Sequence, residues 1–130
     1  MSHGDYNNAQ TALERRYDLK TVYGVNSLLR DIHKLREARF SGTDTTTISN
    51  ILVDFELTIK RAGLTEKQEE ALFLLFENDF TQAEVSKVLG ISQQAVSKHI
   101  DNAIKKIVVK AKEEENVGRK AIRGTLSKRD

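Results

Sequence analysis

The chain has 130 residues, of which 38% are hydrophobic and 31% charged, and its formal net charge is +2. This length and composition predict one compact domain, or a small domain with an added helical arm. The absence of cysteine excludes a disulfide framework and a thiolate metal site. No segment approaches the roughly 20 apolar residues of a transmembrane helix, and no apolar core follows the N-terminus as in a signal peptide. We therefore expect a cytoplasmic protein without a membrane partner.

The first half of the chain predicts three helices. The first is expected over about residues 6–18, and the second over 25–40, where apolar residues recur at helical spacing. A loop at 41–44 contains threonine and aspartate, which would supply an N-cap for a third helix over 48–62. Gly63 suits the left-handed position that ends such a helix. Because the chain has no proline and no period-two alternation, we expect it to be helical throughout.

The second half of the chain contains the same N-terminal capping motif twice. Thr65 is followed by Gln68, and Thr81 by Glu84, and both pairs have the three-residue spacing of a capping box. The polar pair at 78–79 would end the first of these helices. Two short helices, each with its own cap, are therefore predicted before a longer last helix.

A helix-turn-helix pattern spans Thr81 to Ile100. A short capped helix is followed by Gly90, which allows the positive φ of a tight turn. Ile91 would then fill the core beneath the turn, and Ser92 would cap the longer helix and leave its N-terminus exposed. In this motif the second helix enters the major groove of DNA.

Helical periodicity separates the packing face of these two helices from the reading face. The predicted core stripe of the longer helix consists of Val96, Ile100, Ala103 and Ile107. The shorter helix is expected to bury Val85, Val88 and Leu89.

The outward face of the longer helix carries Gln94, Ser97, Lys98, Asp101 and Lys105. Glutamine can form paired hydrogen bonds with adenine and lysine favours guanine acceptors, so this face could read bases. Three lysines are expected on phosphates, which position a protein without specifying sequence. They are Lys87, Lys105 and Lys106.

From Leu64 to about Val109 the sequence resembles the four-helix DNA-binding domain of sigma-factor region four, and that of the similar quorum-sensing response regulators. The opening Leu64-Thr65-Glu66-Lys67-Gln68 is similar to the start of that family's first helix. The core stripe after the turn glycine also stands at the family's spacing. Together with the helical pattern, this resemblance implies an all-α fold, in which a tetrahelical helix-turn-helix domain is preceded by an N-terminal helical segment.

What the resemblance implies about function concerns DNA and RNA polymerase. In these families the second helix of the motif reads promoter DNA, and in sigma factors the same domain also touches core RNA polymerase. Carried over to this chain, the reading role falls on Ser92, Gln93, Gln94, Ser97 and Lys98. Thr81 and Gln82, at the start of the shorter helix, would lie near phosphate.

The N-terminal half departs from complete sigma factors. It lacks the tryptophan-rich melting helix of sigma region two, since the chain has no tryptophan, and it lacks a phospho-receiver domain. The size and layout resemble those of small phage-encoded sigma-like regulators of late transcription. We therefore expect an N-terminal helical region over 1–63 for oligomerisation or polymerase contact, a helix-turn-helix domain over 64–111, and a charged flexible tail over 112–130.

No catalytic arrangement is evident, so we do not expect an enzyme. The sequence has no cysteine nucleophile, glycine-rich phosphate loop or paired His-Glu zinc motif, and we expect neither a cofactor nor a metal. The leading hypothesis is a sequence-specific, sigma-like transcription regulator from a phage or prophage. It would bind double-stranded DNA, with core RNA polymerase and a second copy in a homodimer as candidate partners. Two alternatives stay open: a recognition protein like the small subunit of a phage terminase, and a polymerase-binding or anti-sigma module whose helix-turn-helix no longer reads DNA.

Overall fold

A computed structural model describes the backbone of residues 3–41 and 45–127, and the side chains of residues 10–39 and 46–116. Within these ranges the chain is helical and contains no β-strand, so the predicted all-α class is confirmed. The helices are α1 His3–Arg16, α2 Val22–Arg30, α3 Ile32–Ser41, α4 Thr45–Arg61, α5 Glu66–Leu72, α6 Gln82–Leu89 and α7 Gln93–Ser127. A π-helical turn, Phe73–Glu77, continues α5. Across the described part of the chain, no helix is both long and apolar enough to span a bilayer.

The prediction of a single helix over 25–40 is wrong, because two helices meet at Asp31. This residue leaves the helical conformation, with φ −100° and ψ 10°. Its carboxylate accepts hydrogen bonds from the Tyr17 hydroxyl (2.8 Å) and from the Arg16 guanidinium (3.1 Å). The bond from Tyr17, followed by the contact with Arg16, holds the pKa of Asp31 below its usual range. The apolar periodicity continues across the break, so the sequence of this segment does not reveal it.

The other two helices of the first half lie close to their predicted positions. The helix predicted over 6–18 is α1, and that predicted over 48–62 is α4. Gly63 has φ +71° and confirms the predicted left-handed end of α4. Of the predicted loop at 41–44, Ser41 belongs to α3, and residues 42–44 lie outside the described residues.

Helix α7 is the element against which most of the others pack: α2, α4, α5 and α6 all contact it. The large side chains that are completely or almost completely buried come from both halves of the chain. They include Val25, Leu28, Val85, Val96 and Ile107. A single core thus joins the helix-turn-helix to the helices before it. The division at residue 63 into two functional regions stays a prediction.

The start of the charged segment that was predicted as a flexible tail, 112–130, is helical and bound to the N-terminal half. Glutamate is a good helix former, and α7 continues through the three glutamates of this segment. The carboxylate of Glu114 lies 3.6 Å from the guanidinium of Arg61, and that of Glu115 lies 3.5 Å from the ammonium of Lys20. These pairs connect α7 to α4 and to the loop before α2.

One ion pair connects α3 to the end of the π-helical turn. The guanidinium of Arg36 donates to both carboxylate oxygens of Glu77, with Nη2 and Oε1 2.7 Å apart. These hydrogen bonds hold the pKa of Glu77 below its ordinary value. A paired arrangement of this kind fixes the relative orientation of the two groups as well as their distance.

We expect Glu77→Gln to lower the free energy of unfolding at pH 7 by at most about 1 kcal/mol, because both partners are partly exposed to solvent. Since the pKa of Glu77 is lower in the folded chain, the contribution of the pair is complete above the ordinary value of 4.5. It is lost as the pH falls through the lowered value. Urea titrations of both proteins should therefore differ at pH 7 and converge in more acidic buffer. A difference that does not depend on pH would contradict this explanation.

Gly24 lies where α2 passes the backbone of the preceding loop. A Cβ atom at this position would be 1.9 Å from the carbonyl oxygen of Asp18 and 2.6 Å from its carbonyl carbon. The amide of Gly24 also donates to the side chain of Thr21, the N-cap of α2, at 2.9 Å. Backbone atoms cannot move aside as a flexible side chain can, so the loop and α2 must shift to admit any larger residue.

Gly24→Ala should therefore lower the free energy of unfolding by about 1–3 kcal/mol or more, as overpacking does. Gly63→Asn is the matched control, because nothing lies within 4 Å of its Cβ position and asparagine tolerates positive φ. We expect this control to cost less than about 1 kcal/mol. Equal losses in thermal unfolding of the two variants would show that the contact with Asp18 is unimportant.

Candidate nucleic-acid interface

Both predicted capping boxes are present. The hydroxyl of Thr81 accepts from the amide of Glu84 (3.1 Å), and the amide of Thr81 donates to the Glu84 carboxylate (3.1 Å). Thr65 and Gln68 make the same reciprocal pair, at 3.2 and 3.0 Å. These bonds satisfy amides that have no partner within the helix, and they explain why α5 and α6 begin where they do.

The turn between α6 and α7 also has its predicted form. Gly90 adopts φ +67°, and its amide and that of Ile91 both donate to the carbonyl of Ser86, the latter at 3.1 Å. The Ser86 hydroxyl donates to the carbonyl of Ile91. The hydroxyl of Ser92 accepts from the amide of Ala95 at 3.1 Å, so it caps α7 as predicted. The two helices are thus joined by a short turn whose backbone groups are bonded within the motif.

The buried stripe of α7 contains all four predicted residues. Val96, Ile100, Ala103 and Ile107 are each at most 6% exposed. Ile104 and Val108, which were not predicted, are buried beside them. The stripe is wider than predicted because α2 and α4 cover α7 in addition to α5 and α6.

The predicted stripe of α6 is wrong at one position. Val85 is fully buried and Leu89 packs partly against the core, but Val88 is 59% exposed. Val85 and Leu89 lie one turn apart on one side of the helix. Val88 lies on the other side of Val85, away from the contact with α7.

The nine residues predicted to bind DNA lie on α6, its cap and the first turns of α7. Ser97 is half-buried and the other eight are exposed. The exposed ones are Thr81, Gln82, Lys87, Ser92, Gln93, Gln94, Lys98 and Lys105. Their accessibility is compatible with contact to a ligand as large as DNA, and that contact stays a prediction.

The start of α6 combines free donors with a negative charge. The Thr81 hydroxyl accepts one bond within the capping box, which leaves its proton to donate outwards. Gln82 is exposed beside it. The carboxylate of Glu84, however, is held at this same helix end by the capping box. A phosphate at this end would therefore meet hydrogen-bond donors and a repelling charge together.

The ammonium of Lys106, for which a phosphate contact is predicted, is bonded within the chain. Its ammonium donates to the carbonyl of Gly63 (3.2 Å) and to the side-chain oxygen of Gln68 (3.0 Å). Lys105, its neighbour in sequence, is exposed. The helical wheel carries the signal that separates the two lysines: Lys105 lies opposite Val96, whereas Lys106 lies on the flank, about 80° from it.

Substituting the two lysines should therefore have opposite consequences. Lys106→Met should lower the free energy of unfolding by about 1 kcal/mol, because it removes the donor to the Gly63 carbonyl and one of the two donors to the side-chain oxygen of Gln68. Lys105→Met should change it by less than about 0.5 kcal/mol, as exposed substitutions do. In a DNA titration we expect the reverse order, with the larger loss of affinity for Lys105→Met. Urea unfolding and DNA binding, measured on the same preparations, test the expected changes in stability and in affinity. A larger loss of DNA affinity for Lys106→Met than for Lys105→Met would contradict the proposal that Lys105 is the lysine that contacts phosphate.

Comparison with known protein families identifies this part of the chain. Residues 62–107, about a third of the sequence, match the model of the family sigma-70, region 4. The matched domain belongs to that family. It is a DNA-binding helix-turn-helix domain, and the family is not one of enzymes. Searches of curated proteins and of solved structures each gave no match.

The region 4 domain is acidic. Residues 62–107 contain five lysines and no arginine against seven aspartates and glutamates, a net charge of −2. Much of the affinity of proteins for DNA comes from basic side chains that neutralise phosphates. Residues 62–107 therefore supply few cations for contacts with phosphates.

Proposed function

We propose that the protein is a sequence-specific, double-stranded-DNA-binding regulator of transcription, sigma-like, as in the small phage-encoded regulators that its layout resembles. The observation that carries the proposal is the two-sided character of the first turns of α7. One side is buried in the core, and the other presents polar side chains to solvent within a region 4 domain.

The proposed reading surface follows from the geometry of α7. Gln94 and Lys98 are exposed and lie one turn apart on the same side of the helix, so they can reach neighbouring base pairs. Glutamine can bond to both major-groove atoms of adenine, and lysine can bond to the acceptors of guanine. Ser97, half-buried to one side of them, can bond to several base edges. The helix cap formed by Ser92 leaves this end of α7 open to the groove.

Residues 1–63 are proposed to contact core RNA polymerase or a second copy of the chain. Support comes from Val53 and Leu57, which lie one turn apart on α4 and are 42% and 39% exposed. Adjoining exposed apolar side chains can take part in a contact with another protein. Selection of bound DNA from a random pool, with and without core polymerase, combined with sedimentation of the protein alone, would separate the two partners.

Gln94→Ala and Lys98→Ala should each weaken binding to the selected DNA site by about 1–3 kcal/mol, the usual cost of one lost base contact. Binding to unrelated DNA should change little for Gln94→Ala, because glutamine carries no charge. Lys112→Ala is the matched control: it removes a charge from an exposed position of the same helix, several turns away. If both variants keep the affinity and the base preference of the wild type in gel-shift titrations, the proposed reading surface is wrong.

A second candidate function is favoured by the acidity of the region 4 domain. A domain with net charge −2 could serve as a polymerase-binding or anti-sigma module that no longer reads DNA. The salt dependence of DNA binding separates the two functions, since neutralised phosphates give log affinity a negative slope against log salt concentration. A slope near zero would support the protein-binding module, and a steep negative slope the regulator.

A further inference from the structure

A cleft of about 640 Å³ lies between α2, the start of α3 and the end of the π-helical turn. We call it the α2–α3 cleft. One wall carries Tyr23, Asn26, Arg30 and His33, and the other carries Leu75, Phe76 and Asp79. None of these side chains belongs to the reading surface on α7.

The cleft lies beside the start of α6. The imidazole Nε2 of His33 is 3.5 Å from a carboxylate oxygen of Asp79. Asp79 in turn is two residues before Thr81, the cap of α6. The start of the first helix of the motif is where a DNA phosphate is expected, so a DNA strand that passes this point would lie next to the cleft.

The wall formed by α2 and α3 presents hydrogen-bond donors. Tyr23 is 70% exposed, and Asn26, Arg30 and His33 are exposed with it. The guanidinium of Arg30 lies 3.4 Å from the hydroxyl of Ser27, which is too long for a strong hydrogen bond. Phosphate oxygens in protein–DNA complexes accept bonds from these side-chain types. The wall therefore matches a phosphate backbone better than it matches an apolar ligand.

The charge distribution supplies an independent reason. Residues 22–41 carry four arginines and lysines against two acidic residues, whereas the region 4 domain has net charge −2. Because that domain has a negative net charge, basic residues outside it would add to its attraction for phosphates. Arg36 is paired with Glu77, so Arg30 is the arginine that these helices add at the cleft itself.

We propose that the α2–α3 cleft binds the sugar-phosphate backbone of DNA beside the base pairs that α7 reads, with Arg30 on a phosphate and Tyr23 donating to a neighbouring one. This inference rests on the proposed function, because it needs DNA in the major-groove position. Asp79 is the one acidic residue among those that line the cleft, and its carboxylate opposes the phosphate.

The test measures DNA affinity against salt concentration for the full chain and three variants, on the site selected for the wild type. Arg30→Gln should lower the magnitude of the salt slope by about one, which corresponds to roughly eight-fold weaker binding at 0.1 M salt and little change at 1 M. Asp79→Asn should bind several-fold more tightly at low salt, since it removes the opposing charge. Asparagine also tolerates the positive φ of this residue, +56°. Lys60→Gln, at an exposed position of α4 outside the cleft, is the charge-matched control and should show less than half the change of Arg30→Gln.

Ethylation interference then locates the phosphates. The wild type should be sensitive to ethylation at phosphates beyond those flanking the bases read by α7, and both Arg30→Gln and Tyr23→Phe should lose part of that outer sensitivity. Tyr23→Phe removes only an exposed hydroxyl, so it keeps the test valid if Arg30→Gln folds poorly.

The two proposals fail in different ways. If the wild type binds DNA and depends on Gln94 and Lys98, but the cleft variants keep the wild-type slope and the same outer phosphates, the role of the cleft is overturned and the proposed function stands. If the wild type shows no salt-dependent binding to DNA, both proposals are overturned.

Discussion

Burial of the apolar stripe along α7 is the interaction on which the other features of this protein depend. Each large aliphatic side chain that is fully buried contributes about 1.5–3 kcal/mol relative to exposure. Val96, Ile100 and Ile107 are buried at helical spacing, so the rotation of α7 about its axis is determined by the core. The opposite side must then face solvent. Gln94 and Lys98 therefore take their orientation from contacts made on the other side of the helix.

The same helix also connects the two halves of the chain. The start of α7 belongs to the helix-turn-helix, and its later turns pack against α2 and α4. The pair of Arg36 and Glu77 adds a polar connection between α3 and the end of α5 and its π-helical turn. A change in how the N-terminal helices pack would consequently move the reading surface as well. Helices α2 and α4 are therefore part of the support of the helix-turn-helix.

Electrostatics distinguishes this domain from a strongly basic DNA-binding module. Its lysines are few, and one of them, Lys106, is bonded to the loop before α5. The carboxylate of Glu84 is held at the start of α6 by the capping box. The capping box stabilises the helix but places a negative charge near the expected path of the DNA. Tight binding would then depend on charge supplied by other parts of the chain or by a partner.

The amino-acid sequence alone was sufficient to predict the caps, the left-handed turn at Gly90 and the four-residue core stripe of α7, and hence the candidate reading surface. These features depend on residues within about one turn of each other, which a periodic pattern records. Only the tertiary structure showed the helix break at Asp31, whose carboxylate is bonded to Tyr17. Only the tertiary structure showed that Lys106 is bonded within the chain, to the carbonyl of Gly63 and the side chain of Gln68. The α2–α3 cleft beside the start of α6 is likewise visible only in the tertiary structure. Each of these features joins residues that are far apart in sequence, and such contacts produce no periodic pattern of residue types in the sequence.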